Sequence, residues 1–292
     1  MTAAGEKRKQ KVAVTGANGQ LGRELALLDT EGQFEIIGLS RTELDITDLE
    51  QCRSVLARLR PDAVIHCAAY TAVDKAEAEP DEAFRINAAG TRNIAVAARE
   101  VGAKLCAVST DYVFDGTGKV PYKEHDQTNP RTVYGKSKLA GEQAVSSLHD
   151  RYFIVRTSWV FGAYGNNFVK TMLKLASERE QLKVVADQWG SPTYTRDLAI
   201  FLLELVSTDY FGIYHASNSG VCSWFEFAKA IMEESGSGTR IEPCTTEEFP
   251  RPAPRPHYSV MDHVAIRSNG FTPLPHWREA LRHYLSNPRV EG

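Results

Sequence analysis

Among the 292 residues no apolar run approaches the ~20 needed to cross a bilayer as a helix, so no membrane partner is expected. The first ten residues, MTAAGEKRKQ, lack the apolar centre of a secretory signal and read as a flexible tail over 1–10. Cysteine is scarce: Cys52, Cys67, Cys106, Cys222 and Cys244 are odd in number and show no C-x-x-C spacing. That excludes a disulfide framework and a zinc site, and implies reduced thiols in a cytoplasmic setting. Net charge is also slight, at −3, so nothing drives the chain toward nucleic acid or an anionic surface. Any anionic ligand must be met by local cations. No internal repeat is present.

What is there is an alternation of strand-like and helix-like segments. Lys11–Thr15, Phe34–Leu39, Ala63–His66, Lys104–Val108 and Tyr152–Arg156 read as strands. Between them lie helical stretches after the first strand, near 48–59, over 81–101 and over 134–147. Apolar strands alternating with helices predict an α/β fold with a doubly wound parallel sheet of Rossmann type, its ligands outside the carboxyl ends of the strands. Residues 11–157 are expected to form this nucleotide-binding domain. Beyond Arg156 the chain turns loop-rich, with helices near 168–179, 195–205, 223–234 and 276–285 and the proline-rich Pro250–Pro256. Residues 158–292 are read as mainly a smaller substrate-binding domain, and the helix near 195–206 as one that packs back on the first.

The first strand runs directly into Gly16-Ala-Asn18-Gly19-Gln20-Leu21-Gly22 and then a helix. Glycines there permit a tight turn, let backbone N–H groups approach a pyrophosphate, and let the helix pack close to the sheet. After the second strand come Ser40 and Arg41, with no carboxylate at the strand end. A carboxylate there would bind the 2′-hydroxyl of the adenine ribose, whereas an arginine accommodates a 2′-phosphate. NADPH is therefore the expected cofactor, with use of NADH left open; Asp45 and Ile46 would border the adenine. After the third strand, small residues at Ala68 and Ala69, followed by Tyr70 and Thr71, would let ribose or nicotinamide lie against the backbone.

The fourth strand ends in Ser109-Thr110-Asp111-Tyr112, and a helix carries Tyr134-Gly-Lys-Ser-Lys138. A phenol and an ammonium four residues apart share one helix face. A neighbouring Lys⁺ would lower the phenol pKa from its usual value of about 10 and fit it for proton donation to a developing alkoxide.

These segments resemble the extended short-chain dehydrogenase/reductase superfamily. Within it, Ala72-Val-Asp-Lys-Ala-Glu77, Arg156-Thr-Ser-Trp-Val160, Gly165-Asn-Asn-Phe168 and Gly190-Ser-Pro-Thr193 are most similar to the dTDP-4-dehydrorhamnose reductase family, from about Lys11 to the C-terminus. The resemblance implies reduction of the C4 ketone of a dTDP-sugar for surface polysaccharide synthesis. It makes Tyr134 the proton donor, Lys138 the holder of the nicotinamide ribose, and Thr110 a hydrogen-bonding partner of the ketone or tyrosine. Asp111 is read as a sugar ligand or a turn cap, Trp159 as a surface against the sugar or core packing, and Arg255 as a diphosphate ligand or a solvated loop charge. Asn87 occupies a position associated with the architecture of such sites, or is a hydrogen-bonded structural residue. Some members of the family dimerise through a magnesium site built from carboxylates; no such set maps here, so no metal is expected and a homodimer is left open.

Two other readings stay alive. A nucleotide-sugar epimerase or dehydratase would share the cofactor half but show no net nicotinamide consumption. A non-catalytic regulatory subunit, of the kind that partners methionine adenosyltransferase, would co-purify with a transferase.

Overall fold

The computed structural model describes residues 8–28 and 30–287. Residues 1–7 of the tail expected over 1–10 lie outside the described residues, and Gln10 already opens β1 (Gln10–Thr15). There follow α1 (Gln20–Leu27), β2 (Phe34–Leu39), α2 (Leu49–Leu59), β3 (Ala63–His66), α3 (Val73–Ala78) and α4 (Pro80–Phe84). The helix expected over 81–101 is not one regular helix: α4 passes into a π-helical turn at Arg85–Gly90 before α5 (Thr91–Glu100). Then come β4 (Lys104–Thr110), a 3₁₀ turn at Asp111–Val113, α6 (Val133–Leu148) and β5 (Tyr152–Thr157). Side chains start these helices where the sequence offers them, Asp48 accepting from the Gln51 N–H and Thr132 from the Gly135 N–H.

The second half contributes β6 (Val160–Phe161), α7 (Phe168–Glu178), β7 (Gln181–Val185), β8 (Trp189–Gly190), β9 (Thr193–Tyr194), α8 (Thr195–Val206) and β10 (Gly212–His215). It closes with β11 (Cys222–Ser223), α9 (Trp224–Ser235), β12 (Arg240–Cys244), α10 (Val264–Ser268) and α11 (Trp277–Ser286). Ser223 and Glu226 form a reciprocal capping box at the start of α9.

The expected α/β sheet is present, with six parallel strands in the order β2-β1-β3-β4-β5-β10. Alternation along each strand sends side chains to two cores. Val12, Val14, Ile65, Phe153 and Val155 pack under α1, α8 and α10; Ala13, Val64, Leu105 and Ile154 pack under α2, α5 and α6. The sixth strand is not foreseen in the sequence, and it lies inside the stretch assigned to the second domain. A separate core of Phe161, Val169, Leu182, Phe227, Ile231 and Leu281 ties together β6, α7, β7, α9 and α11. Among the described residues no helix is long and apolar enough to cross a membrane.

Strand order reverses between β1 and β3, and the loops leaving them diverge there to open a crevice at the carboxyl edge of the sheet.

Candidate active site

Two cavities meet over this edge. The smaller, about 570 Å³, is lined by Gly16, Asn18, Gly19, Gln20, Leu21, Gly22, Arg41, Asp45, Ile46, Ala68, Ala69, Thr71, Tyr134 and Lys138, among others. Its floor is backbone. Gly16 has φ +68°, and a Cβ on it would stand 2.7 Å from the Ala68 nitrogen. A Cβ on Gly22 would stand 2.2 Å from the Gly16 oxygen, so α1 sits closer to the turn than a side chain allows. Gly19, the N-cap of α1, makes no side-chain capping bond, and the first turn carries no acidic residue. Those N–H groups and the positive helix end suit a pyrophosphate, and the residues present fit a dinucleotide.

Two residues expected in this wall are not part of it. Ser40 is buried, its hydroxyl paired with Thr42 at 2.8 Å and its N–H donated to Glu43 at 2.7 Å. Tyr70 donates its phenol to Glu79 at 2.8 Å, away from the cavity. Asn87 holds the Tyr70 backbone from both sides, accepting from its N–H at 2.8 Å and donating to its carbonyl at 3.0 Å. It also donates to Ser137 Oγ at 3.0 Å, so the π-helical turn clamps the loop after β3 to α6. Arg41 stands at the far end near Asp45, whose pKa is held below the usual value first by hydrogen bonds from Thr47 and also by the charges of Arg41 and Arg85.

The larger cavity, about 1110 Å³, is lined by Asp74, Thr110, Asp111, Tyr112, Tyr134, Trp159, Phe168, Trp224, Phe249, Arg251 and Arg255, among others. Trp159 is half-buried with φ +48°, a strained value for a non-glycine residue. Its ring stacks on Trp224 at 3.6 Å and 9°, and a Cβ on Gly190 would lie 2.5 Å from the nearest indole carbon. Arg255 reaches the cavity already engaged: it donates to Asp74 at 2.8 Å and to the Ala253 carbonyl at 3.1 Å. The alternatives of a diphosphate ligand or a solvated loop charge therefore omitted its actual partner. Burial would raise the Asp74 pKa, but the bonds from Arg255 and the Ala253 N–H overcome it and hold the carboxyl low. Sequence reasoning also missed Arg251, whose guanidinium lies 4.8 Å over the Phe249 ring, and Trp224.

Tyr134 borders both cavities, with Ser109, Thr157 and Thr71. Burial pushes its phenol up to about 12, and the Thr110 hydroxyl is the group that pulls it back. The expected lowering by Lys138 is not found. The ammonium instead donates to the Val108 carbonyl at 2.7 Å, and its own pKa falls to about 8 through burial, opposed by Glu142. Glu142 is in turn held by Arg156 at 2.7 Å, a pair buried behind the crevice. Among the described residues no group of three His, Cys, Asp or Glu side chains could hold a metal ion.

The chain matches the family described as RmlD substrate binding domain across residues 10–290. It is 50% identical over 275 residues to the spore coat polysaccharide biosynthesis protein SpsK of Bacillus subtilis, covering 94% of this chain and 96% of that one. It is 48% identical to dTDP-4-dehydrorhamnose reductase of Streptomyces griseus, covering 92% and 90%. The crystal structure of dTDP-4-dehydrorhamnose reductase from Bacillus anthracis in complex with NADP superposes with a TM-score of 0.93 at 50% identity, covering 96% and 99%. A glycine-floored cavity joined at a buried tyrosine to an aromatic-walled one, in a chain aligned with these proteins almost end to end, leaves one assignment: the chain belongs to the dTDP-4-dehydrorhamnose reductase family.

Proposed function

We propose that this chain is an NADPH-dependent oxidoreductase that reduces the C4 ketone of dTDP-4-dehydro-L-rhamnose to dTDP-L-rhamnose, a cytoplasmic step supplying an activated deoxysugar for surface polysaccharide. The observation that carries the reading is the position of Tyr134, the one titratable group among the described residues that lines both cavities close to Thr110 and Lys138. NADPH, when bound, supplies the hydride. The protein's own residues do the rest. Gly16, Gly19 and Gly22 admit the pyrophosphate to backbone N–H groups, Ala68 and Ala69 leave room for ribose, and Lys138 is placed to hold the nicotinamide ribose. Tyr134 gives its proton to the sugar oxygen as negative charge develops there, and Thr110 steadies the phenol. A phenol pushed up to about 12 stays protonated at neutral pH, which keeps the donor loaded. The Trp159–Trp224 stack forms an apolar wall from which bulk water is excluded as the sugar binds.

Mixing the protein with dTDP-4-dehydrorhamnose and NADPH tests the proposal. Expected is stoichiometric loss of nicotinamide absorbance with formation of dTDP-L-rhamnose. Conversion of nucleotide sugar without net loss of NADPH would point instead to an epimerase or dehydratase, and no turnover together with capture of a transferase would point to a regulatory subunit.

A further inference from the structure

We infer that Gln20, the first residue of α1, is a positioning residue for the nucleotide sugar: its backbone borders the cofactor cavity, but its side chain holds the N-cap of α7 and through it one wall of the larger cavity. The inference rests on the reductase reading above and adds a residue to its sugar side.

The position follows from spacing along α1. Leu21 and Leu25 sink into the core beside Leu198 and Leu202 of α8, which fixes the helix on the sheet. Gln20, Arg23 and Glu24, at i, i+3 and i+4, share the neighbouring face. Each meets the second half of the chain: Gln20 accepts from Asn167, the Arg23 guanidinium lies 5.1 Å from the centre of the Tyr164 ring, and Glu24 accepts from the Thr195 hydroxyl at 3.2 Å. The helix whose first turn suits a pyrophosphate is thus also the post that carries the start of the sugar wall.

Asn167 is where that wall begins. It is 9% exposed, and its Oδ1 caps α7 by accepting from the Lys170 N–H at 3.1 Å. Its Nδ2 donates to the Gly162 carbonyl at 2.9 Å and to Gln20 Oε1 at 3.3 Å, while its own carbonyl accepts from the Thr171 hydroxyl at 2.9 Å. The chain leading to it is moulded on the glutamine: Gly165 has φ +64°, and a Cβ there would stand 2.9 Å from Gln20 Cγ. From this cap α7 sends Phe168, Thr171 and Leu175 to the larger cavity, so a shift of the cap shifts all three.

The cofactor has no such claim on the side chain. Backbone N–H groups bared by the glycines of the turn serve the pyrophosphate, and the first turn of α1 carries no acidic residue. Alanine at position 20 would keep that backbone, the core contacts of Leu21 and Leu25, and a helix-favouring side chain. Glutamate would keep an oxygen for Asn167 but set a negative charge where the helix end attracts an anion. The two substitutions should therefore injure opposite ligands.

Titration calorimetry with NADPH and with dTDP tests this. Gln20→Ala should weaken dTDP binding about fivefold, the size of one hydrogen bond partly open to solvent, and change NADPH affinity by less than about twofold. In turnover, KM for the sugar should rise more than kcat falls. Gln20→Glu should do the reverse, weakening NADPH and leaving dTDP near the unaltered value. Asn167→Ser keeps a capping oxygen but not the reach to Gln20, so it should weaken dTDP at least as much as Gln20→Ala, and the double variant should be no worse than Asn167→Ser alone. Loss of NADPH affinity in Gln20→Ala would make the side chain a cofactor contact and overturn the proposal, as would unchanged dTDP binding. Additive losses in the double variant would mean that Gln20 touches the nucleotide sugar itself, and would also overturn it. Should Asn167→Ser fail to fold, the two Gln20 variants decide, because the same ligand weakened in both overturns the proposal. An unaltered protein that binds no dTDP, or consumes no NADPH with dTDP-4-dehydrorhamnose, overturns the reductase reading, a result seen before any variant is made.

Discussion

The two walls of the crevice are made of different material. On the cofactor side the surface is backbone, bared by Gly16, Gly19, Gly22, Ala68 and Ala69 over two short loops. On the sugar side it is side chain: Trp159 stacked on Trp224, Phe168 4.5 Å beyond, and a strap around Ala253–Arg255 fastened to Asp74. A backbone wall needs small residues close together in sequence, because a single Cβ at Gly16 or Gly22 would collide with the neighbouring chain. A side-chain wall has no such local demand. Its members come from β8, the chain after β5, the starts of α7 and α9 and the strap, and only packing brings them together. The first kind of wall is therefore a motif, and the second is a consequence of the whole fold.

Tyr134 sits on the seam, and altering it gives the largest expected effect. Tyr134→Phe removes a proton donor and almost no surface, so turnover should fall by roughly 10²–10⁴. Titration calorimetry should find NADPH and dTDP binding both nearly unchanged, which would separate two binding walls from one chemical group between them. Loss of either affinity would mean that the phenol belongs to that wall.

The same contrast explains what the sequence discloses. The glycine loop, five of the six strands of the parallel sheet and the Tyr134–Lys138 pair are legible because each obeys a short-range rule: a tight turn, a period of two, a helical spacing. The sixth strand, Gly212–His215, is no shorter than β3 but opens on a glycine and carries a single β-branched residue, so its pairing with β5 is what sets it apart from the loop around it. α3 hides in six residues, Val73–Ala78, which lack a capping side chain. Ser40 and Tyr70 stay out of the cofactor cavity for a related reason. Ser40 directly follows β2 and Tyr70 lies in the loop after β3, but the side chains turn to local partners, Thr42 and Glu79. The partner of Arg255 is 181 residues away in sequence, at Asp74, and no spacing rule reaches that far.

That latch offers a smaller test, on the sugar wall alone. Asp74→Asn and Arg255→Ala should each weaken dTDP binding about fivefold and leave NADPH untouched, a size fitting an ion pair still partly open to solvent. The double variant should be little worse than either single one, since both remove the same tether. If Arg255 contacts diphosphate directly instead, only Arg255→Ala will weaken binding, and Asp74→Asn will tighten it by releasing the guanidinium. Either way the measurement says whether the strap acts as a wall or as a hand.

The smallest effect is expected where the cofactor wall does depend on a side chain. Arg41 is exposed at the adenine end and would favour a 2′-phosphate through charge-assisted hydrogen bonds. Asp45 lines the same end, and because its pKa is held low it stays charged throughout the neutral range. A 2′-phosphate thus meets attraction from one residue and repulsion from the other, both screened by salt over a Debye length of about 8 Å. Arg41→Ala should raise KM for NADPH only about threefold more than KM for NADH, and that ratio should shrink further as ionic strength rises. Asp45→Asn should move the ratio the other way, strengthening the preference for NADPH. Equal changes for both cofactors with Arg41→Ala, or none, would return the arginine to the surface and leave cofactor choice to the backbone that builds the rest of that wall.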